Sequence, residues 1–261
     1  GVRTIIKMVH HTRLDAAISA AGLMRQAVAQ ALHHAAHRSA FQKRLVDQAL
    51  MQNVLADLAI EVEAATTLVM RVAGAFDRAS DDPAERDFGR LATPIAKYWM
   101  GKQAPRVIAE ALECLGGNGY VEESILPRLY REAPVNSVWE GSGNVICLDV
   151  LRAIDRSPEA VEALLREIET SRGGNRWLDG TIDRLRSRLP EWQREEGQAR
   201  VLVEQLALTL AGALLVRHAP SAIADAYCAS RFTNDGGRQF GTLPPGLDLA
   251  AIIARAQPAS T

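Results

Sequence analysis

Between Thr4 and Arg38 the chain runs without a proline, with Gly22 as its only glycine, and repeats apolar residues three and four apart. A periodic run of that length predicts a long helix, because strands alternate at period two and rarely pass ten residues. Two further runs follow, from about Val46 to Arg78 and from about Ala84 to Leu115. Ser80-Asp-Asp-Pro83 separates them, a stop followed by a proline suited to the first turn of the next helix. Pro94 and Pro105 fall inside the third run and predict kinks. A short helix over about Glu122–Arg131, an irregular link Glu132–Ser137 and a helix over Ser142–Arg156 complete this part. Long helices joined by short links predict an all-α, up-down bundle. No segment reads as a strand.

Ser157-Pro158 marks a boundary, dividing a bundle over 1–156 from a smaller helical unit over 157–261. Residues 158–189 are rich in Glu and Arg, and no lysine follows Lys102. Pro190 is expected to restart a helix that turns strongly apolar from Val201 to Val216. Another helix spans about Ser221–Arg231, and Thr233–Gly246 is a loop by its glycines, prolines and asparagine.

Thirty basic and 31 acidic residues leave a net charge of −1, with no global pull toward nucleic acid or anionic membrane. Aromatics make up 5%, and Ala and Leu dominate, which suits packed helices. Cys114, Cys147 and Cys228 match neither a zinc site nor a disulfide framework, and Cys114 and Cys147 read as small core residues of a reduced, cytoplasmic protein. No apolar run is expected to reach the length of a bilayer span, and no signal peptide opens the chain. Starting at Gly1 inside a helical pattern, it reads as a fragment or a processed product. His33 and His37 share a spacing that can hold a metal but lack an obvious third ligand, so no metal is expected and a basic helix end is favoured.

Two stretches carry chemistry: Glu113-Cys-Leu-Gly-Gly-Asn-Gly-Tyr120 and Trp139-Glu-Gly-Ser-Gly-Asn144. Gly116, Gly117 and Gly119 admit positive φ and close approach of a ligand, or simply end a helix and begin a turn. Glu140 is a placed base, or a carboxylate steadied by the next helix, which Ser142 could cap. Arg172, Arg176, Arg184, Arg186 and Arg188 form a basic cluster that could meet DNA phosphates. Glu162, Glu167, Glu169, Asp179 and Asp183 lie close by, so a salt-bridged face is the competing reading.

In this order the two motifs resemble the C-terminal helical domain of the acyl-CoA dehydrogenase flavoproteins. Arg38-x-x-Phe41, Lys97 and Leu126-Pro-Arg-Leu-Tyr-Arg-Glu132 are further landmarks in register, and the resemblance covers residues 1 to about 156. The stretch Glu122–Asn144, with Cys147-Leu-Asp-Val-Leu-Arg152 after it, looks like the AidB-like, alkylation-response branch. That branch carries a helical C-terminal extension associated with double-stranded DNA. Over 158–261 the match rests on length, helical character and the Gly236-Gly-Arg238 loop.

The resemblance implies FAD as cofactor and Glu140 as the base that takes the α-proton of an acyl thioester. It implies that Arg38 contacts the FAD diphosphate of a neighbouring subunit and that Phe41 packs on the cofactor. Gly116, Gly117 and Gly119 match the loop at the adenosine end, Ser142 and Asn144 match positions contacting FAD beside the base, and Arg13 lies near the CoA portion of the substrate. Homo-oligomers, tetramers in this family, follow as well. Four departures stand out: Gln42 where the family has glycine, Glu113 where it has a cofactor-contacting glutamine, Trp139 where many members have tyrosine, and Val9-His10 in place of an aromatic-acidic pair. The expectation is an AidB-like FAD protein binding double-stranded DNA. The alternatives are a working acyl-CoA dehydrogenase whose extension serves oligomerisation, or a structural fragment. In the family the flavin lies between this domain and preceding helical and β-barrel domains, so the chain alone should hold the base and part of an FAD surface without turnover.

Overall fold

The computed structural model describes residues 1–258. Three long helices, α1 (Val2–His37), α2 (Ala49–Arg78) and α3 (Pro83–Glu113), form the bundle. Short helices α4 (Gly117–Tyr120) and α5 (Leu126–Glu132) lead to α6 (Gly143–Arg156). The rest is α7 (Pro158–Glu169), α8 (Arg176–Arg194), α9 (Ala199–His218), α10 (Ser221–Arg231) and α11 (Leu249–Ala256). The all-α expectation is met, and the long helices end within a few residues of their predicted limits.

Pro94 and Pro105 lie inside α3, which continues through both. A proline frees the carbonyl four residues before it. For Pro105 that is Gly101, and the Ser137 hydroxyl donates to its oxygen at 2.6 Å. The proline thus docks the segment that leads into Glu140.

Several elements differ from expectation. Residues 39–44 form a two-stranded antiparallel hairpin, Ser39–Ala40 with Lys43–Arg44. Its two turn residues, Phe41 (φ +52°) and Gln42 (φ +65°), are both left-handed, the geometry that closes two-residue hairpins. Glycine at position 42 would adopt that φ without the 1–2 kcal/mol cost of about one side-chain-bearing residue in that region. Gln42→Gly is expected to raise stability by about 1 kcal/mol, read as a higher urea midpoint at unchanged slope. The short helix expected from Glu122 begins at Leu126, whose N–H is bonded by the Ser124 hydroxyl oxygen. Pro190 does not restart a helix: α8 runs through it to Arg194, because burial of Trp192 ties the last turn to the core. The break comes at Glu195, followed by a 3₁₀ turn over Glu196–Gln198. The segment Glu196–His218 is long and apolar enough to cross a membrane by length and composition, with mean hydropathy 1.7 over its most apolar 18-residue stretch. That corrects the expectation that no run reaches such a length. Of that stretch 67% is buried inside the protein, so it is accounted for as a core helix.

The two parts of the chain share one hydrophobic core, running from Leu14, Met24 and Leu32 of α1 to Leu206 and Leu210 of α9 and Ile252 of α11. Cys114, Cys147 and Cys228 are all buried as free thiols. Charged groups tie the parts together, among them Arg255 of α11 on Glu63 of α2 and two larger clusters. Arg71 of α2 forks onto Glu85 of α3 and Glu167 of α7, and Arg217 of α9 adds a bond to Glu167. Arg231, ending α10, bonds Asp57 and Glu61 of α2. Asp57 also accepts from the Gly241 N–H, and the Asn53 amide exchanges bonds with the backbone of Leu243. The Thr233–Gly246 loop is thereby pinned along α2.

Candidate active site

Glu140 sits in a turn, two residues before Ser142, the N-cap of α6. Its φ is +58°, and Gly141 follows at +109°. A left-handed residue bearing a side chain is uncommon and needs its surroundings to hold it. Here two cations do so through the backbone. Arg13 Nε of α1 donates to the Glu140 carbonyl at 3.1 Å, and Lys97 Nζ of α3 donates to the Gly141 carbonyl at 2.5 Å. Trp139 Nε1 donates to Asn136 Oδ1 at 3.2 Å, anchoring the indole on the approach. Glu140 is therefore a turn residue outside α6, whose first turn holds no carboxylate, and its half-buried side chain has yet to be closed off from water.

Arg13 is bound within the chain. Besides the Glu140 carbonyl it holds Asp149 of α6 at 2.5 Å, and Arg90 reaches the same carboxylate at 3.5 Å. Burial pushes the Asp149 carboxyl up, but these arginines outweigh it and leave it below its ordinary value.

Lys97 is 2% exposed. Burial pushes its pKa down to about 8, Arg13 adds to this, and Glu140 opposes it. An unfolded lysine titrates at about 10.4. Between pH 8 and that value the unfolded chain holds the proton and the folded chain does not, so stability rises with pH. Denaturant titrations from pH 7.5 to 10 are expected to show a gain on the order of 2 kcal/mol relative to Lys97→Met. A constant difference between the two proteins across that window would contradict the assignment.

Beside the Arg13–Asp149 pair lies a cleft of about 570 Å³, lined by residues of α1, α2 and α3 that include Val9, His10, Phe76 and Arg90. His10 stacks on Phe76 at 5.2 Å, and burial, with Arg90 and Arg13, pushes its pKa down to about 4. The imidazole is neutral near pH 7 and serves as a flat apolar wall. Sequence reading marked His10 only as a departure; its stack on a ring 66 positions away has no local signal.

The other landmarks divide in space. Glu140, Trp139, Ser142, Asn144, Arg13 and Lys97 come together. Arg38 and Phe41 stand at the far end of α1, roughly 37 Å from Arg13 at 1.5 Å per residue. α1 and α3 run side by side in parallel, His10 beside Gly89 and Arg13 beside Lys97, so the loop after α3 lies at that far end too. Arg38 is exposed, and Phe41 is 94% exposed, so it staples no helices. Gly116 has φ +59° and faces open space, as does Gly117. A Cβ on Gly119 would run into the Leu112 carbonyl, so that glycine serves the chain's own turn. Glu113 is exposed at the rim. Ser142 makes no cap bond with its side chain and is exposed, while Asn144 Oδ1 accepts from Arg200 Nε at 2.9 Å.

The basic cluster of the extension is largely neutralised. Arg172 bonds Glu169 and Asp183, Arg186 bonds Glu169, and Arg188 bonds Glu191. Arg172 and Arg186 hold the Glu169 carboxyl down to about 2. Arg176 lies over the Trp177 ring at 4.6 Å. Among the described residues, Arg184 has no carboxylate within ion-pair distance. The His33 and His37 rings lie 4.4 Å apart, tilted to each other, and among the described residues no three potential ligands converge on a metal site.

The family model for the acyl-CoA dehydrogenase C-terminal domain matches residues 1–154. The chain belongs to the acyl-CoA dehydrogenase family. It is 41% identical to AidB of Escherichia coli strain K12 over 237 residues, covering 91% of this chain and 43% of that protein. The structure of Caenorhabditis elegans ACDH-11, solved with C11-CoA, matches with a TM-score of 0.81 at 27% identity over 87% of this chain and 44% of that one. An acyl-CoA dehydrogenase from Bacillus anthracis complexed with FAD shares the fold at 18% identity and a TM-score of 0.61. The chain thus spans less than half the length of these acyl-CoA dehydrogenase relatives. Two groups at opposite ends of α1 have the chemistry to meet parts of a flavin nucleotide, too far apart to share one phosphate: Ser142 offers a hydroxyl free of helix capping, and Arg38 a guanidinium with no carboxylate within ion-pair distance among the described residues. Glu113 is the member of the donor set that does not suit a phosphate.

Proposed function

We propose that this chain is the helical part of an AidB-like FAD protein of the acyl-CoA dehydrogenase family, with Glu140 as its base toward an acyl thioester. The observation that carries this reading is the left-handed Glu140 turn, held by two cations from different helices. The two bonds fix this turn relative to α1 and α3. A bound FAD would supply the acceptor for the hydride that leaves the substrate β-carbon. Glu140 takes the α-proton, as a carboxylate held beside Lys97 and Arg13 through its own turn. Trp139 narrows the approach to the base and disfavours bulky acyl chains. The neutral His10–Phe76 stack beside Arg13 suits the uncharged length of a CoA thioester.

Exposed Phe41 and Leu50 at the hairpin end of the bundle suit a homo-oligomer, and a tetramer would bring Arg38 to a neighbour's cofactor. Duplex DNA is a second proposed partner, supported by Arg184 and Arg176, which keep no carboxylate partner in the cluster. The test uses the polypeptide that carries this chain. Acyl-CoA thioesters of increasing length are mixed with it anaerobically, and bleaching of the flavin band is followed. A protein that takes up no FAD would end the flavin reading. Duplex affinity measured from low to high salt decides the DNA partner, and an affinity indifferent to salt, or absent, removes it.

A further inference from the structure

Gly143 has two cations against it. A Cβ there would stand 3.2 Å from Lys102 Cε and 3.3 Å from a terminal nitrogen of Arg200. The Tyr98 ring would be 3.4 Å away. Lys102 comes from α3 and Arg200 from the first turn of α9, within the extension. Among the described residues neither has a carboxylate within 4.0 Å. Glu196 lines the shallow cleft that Arg200 shares with Asn144 and Cys147, and Glu204 lies one turn along α9, but neither is paired with Arg200. Both cations act on the Cys147 thiol, whose pKa burial nonetheless pushes up to about 11.

Two positive groups gathered on a glycine repel each other, and the repulsion falls when an anion lies between them. Arg200 spends only its Nε, on Asn144, leaving the terminal nitrogens of the fork for a second acceptor. A phosphate oxygen pair matches that fork. The site is open to solvent: Arg200, Asn144 and Ser142 are exposed, as are Val145 and Val201, which border them in sequence.

We infer that Arg200, assisted by Lys102, contacts a phosphate of the flavin nucleotide, so that the extension contributes to the cofactor site of the bundle. This rests on the flavin reading above. It gives the extension a part in cofactor retention that neither DNA binding nor oligomer packing requires.

FAD affinity of the polypeptide that carries this chain is measured by flavin fluorescence quenching, with inorganic pyrophosphate as competitor. Wild type, Arg200→Gln, Arg200→Lys and Arg38→Gln are compared, with melting curves to confirm that each is folded. Arg200→Gln is expected to weaken FAD binding by about tenfold, one charge-assisted contact, and to be less sensitive to pyrophosphate than the wild type. Arg200→Lys should recover part of the affinity, since it keeps the charge without the fork. Wild-type affinity in Arg200→Gln, with affinity lost in Arg38→Gln, overturns the inference and leaves the flavin reading standing. A weakened Arg200→Gln whose wild type is indifferent to pyrophosphate overturns the phosphate assignment. Absence of FAD binding by the wild type ends both.

Discussion

Glu140→Gln is expected to slow acyl-CoA-driven flavin bleaching by about 10²–10⁴-fold, the contribution of a positioned general base. Glutamine keeps the size of the side chain and can keep the left-handed turn, because Arg13 and Lys97 grip backbone carbonyls and not the carboxylate. The variant should therefore fold and hold FAD as the wild type does, which separates a lost base from a lost site. Stopped-flow bleaching at saturating thioester reads the chemical step directly. A variant that bleaches at the wild-type rate would remove Glu140 from the mechanism. A wild type that binds FAD yet never bleaches would make the protein a flavoprotein without ordinary dehydrogenation.

Arg231→Met is expected to destabilise the protein by about 3–5 kcal/mol, the usual result of leaving buried charges without their partner. Asp57 and Glu61 have side chains 3% and 7% exposed, and Arg231 is the cation that bonds both. Burial works against the Arg231 charge, and the two carboxylates outweigh it. Asp57 also holds the Gly241 N–H, so the effect should reach the loop over 233–246. Urea unfolding measures the loss, and limited proteolysis should show cleavage within that loop before the rest of the chain. Adding Asp57→Asn and Glu61→Gln to Arg231→Met removes the stranded charges and is expected to restore part of the stability. A loss below about 1 kcal/mol in the single variant would mean that water already reaches the carboxylates.

The long helices were legible because apolar periodicity is a property of neighbouring residues. α1, α2 and α3 follow from their spacing, and α10 begins and ends where its pattern does. Pro190 misled because the lost hydrogen bond is local, whereas the burial of Trp192 that offsets it depends on the core. The hairpin at 39–44 was silent because Phe41-Gln42 lacks the Asn-Gly or Asp-Gly signature of such turns. α11 was missed because eight residues carry too few turns to establish a period. At the candidate site, Glu140 stood out through its flanking glycines, but the groups that hold it did not. Arg13 is 127 residues from Glu140, and Lys97 is 44 from Gly141.

The amino-acid sequence by itself determined the helical class, the order of the glycine loop and the Glu140 turn, and the family to which they belong. These depend on local spacing and on which residue types tolerate a tight turn. The tertiary structure decided the pairing of charges. It closed Arg172, Arg186 and Arg188 onto carboxylates, spent Arg13 on Asp149 and the Glu140 turn, and left Arg200 beside Asn144. Which cation meets which acceptor is set by how helices distant in the chain pack on one core, and composition carries no record of that.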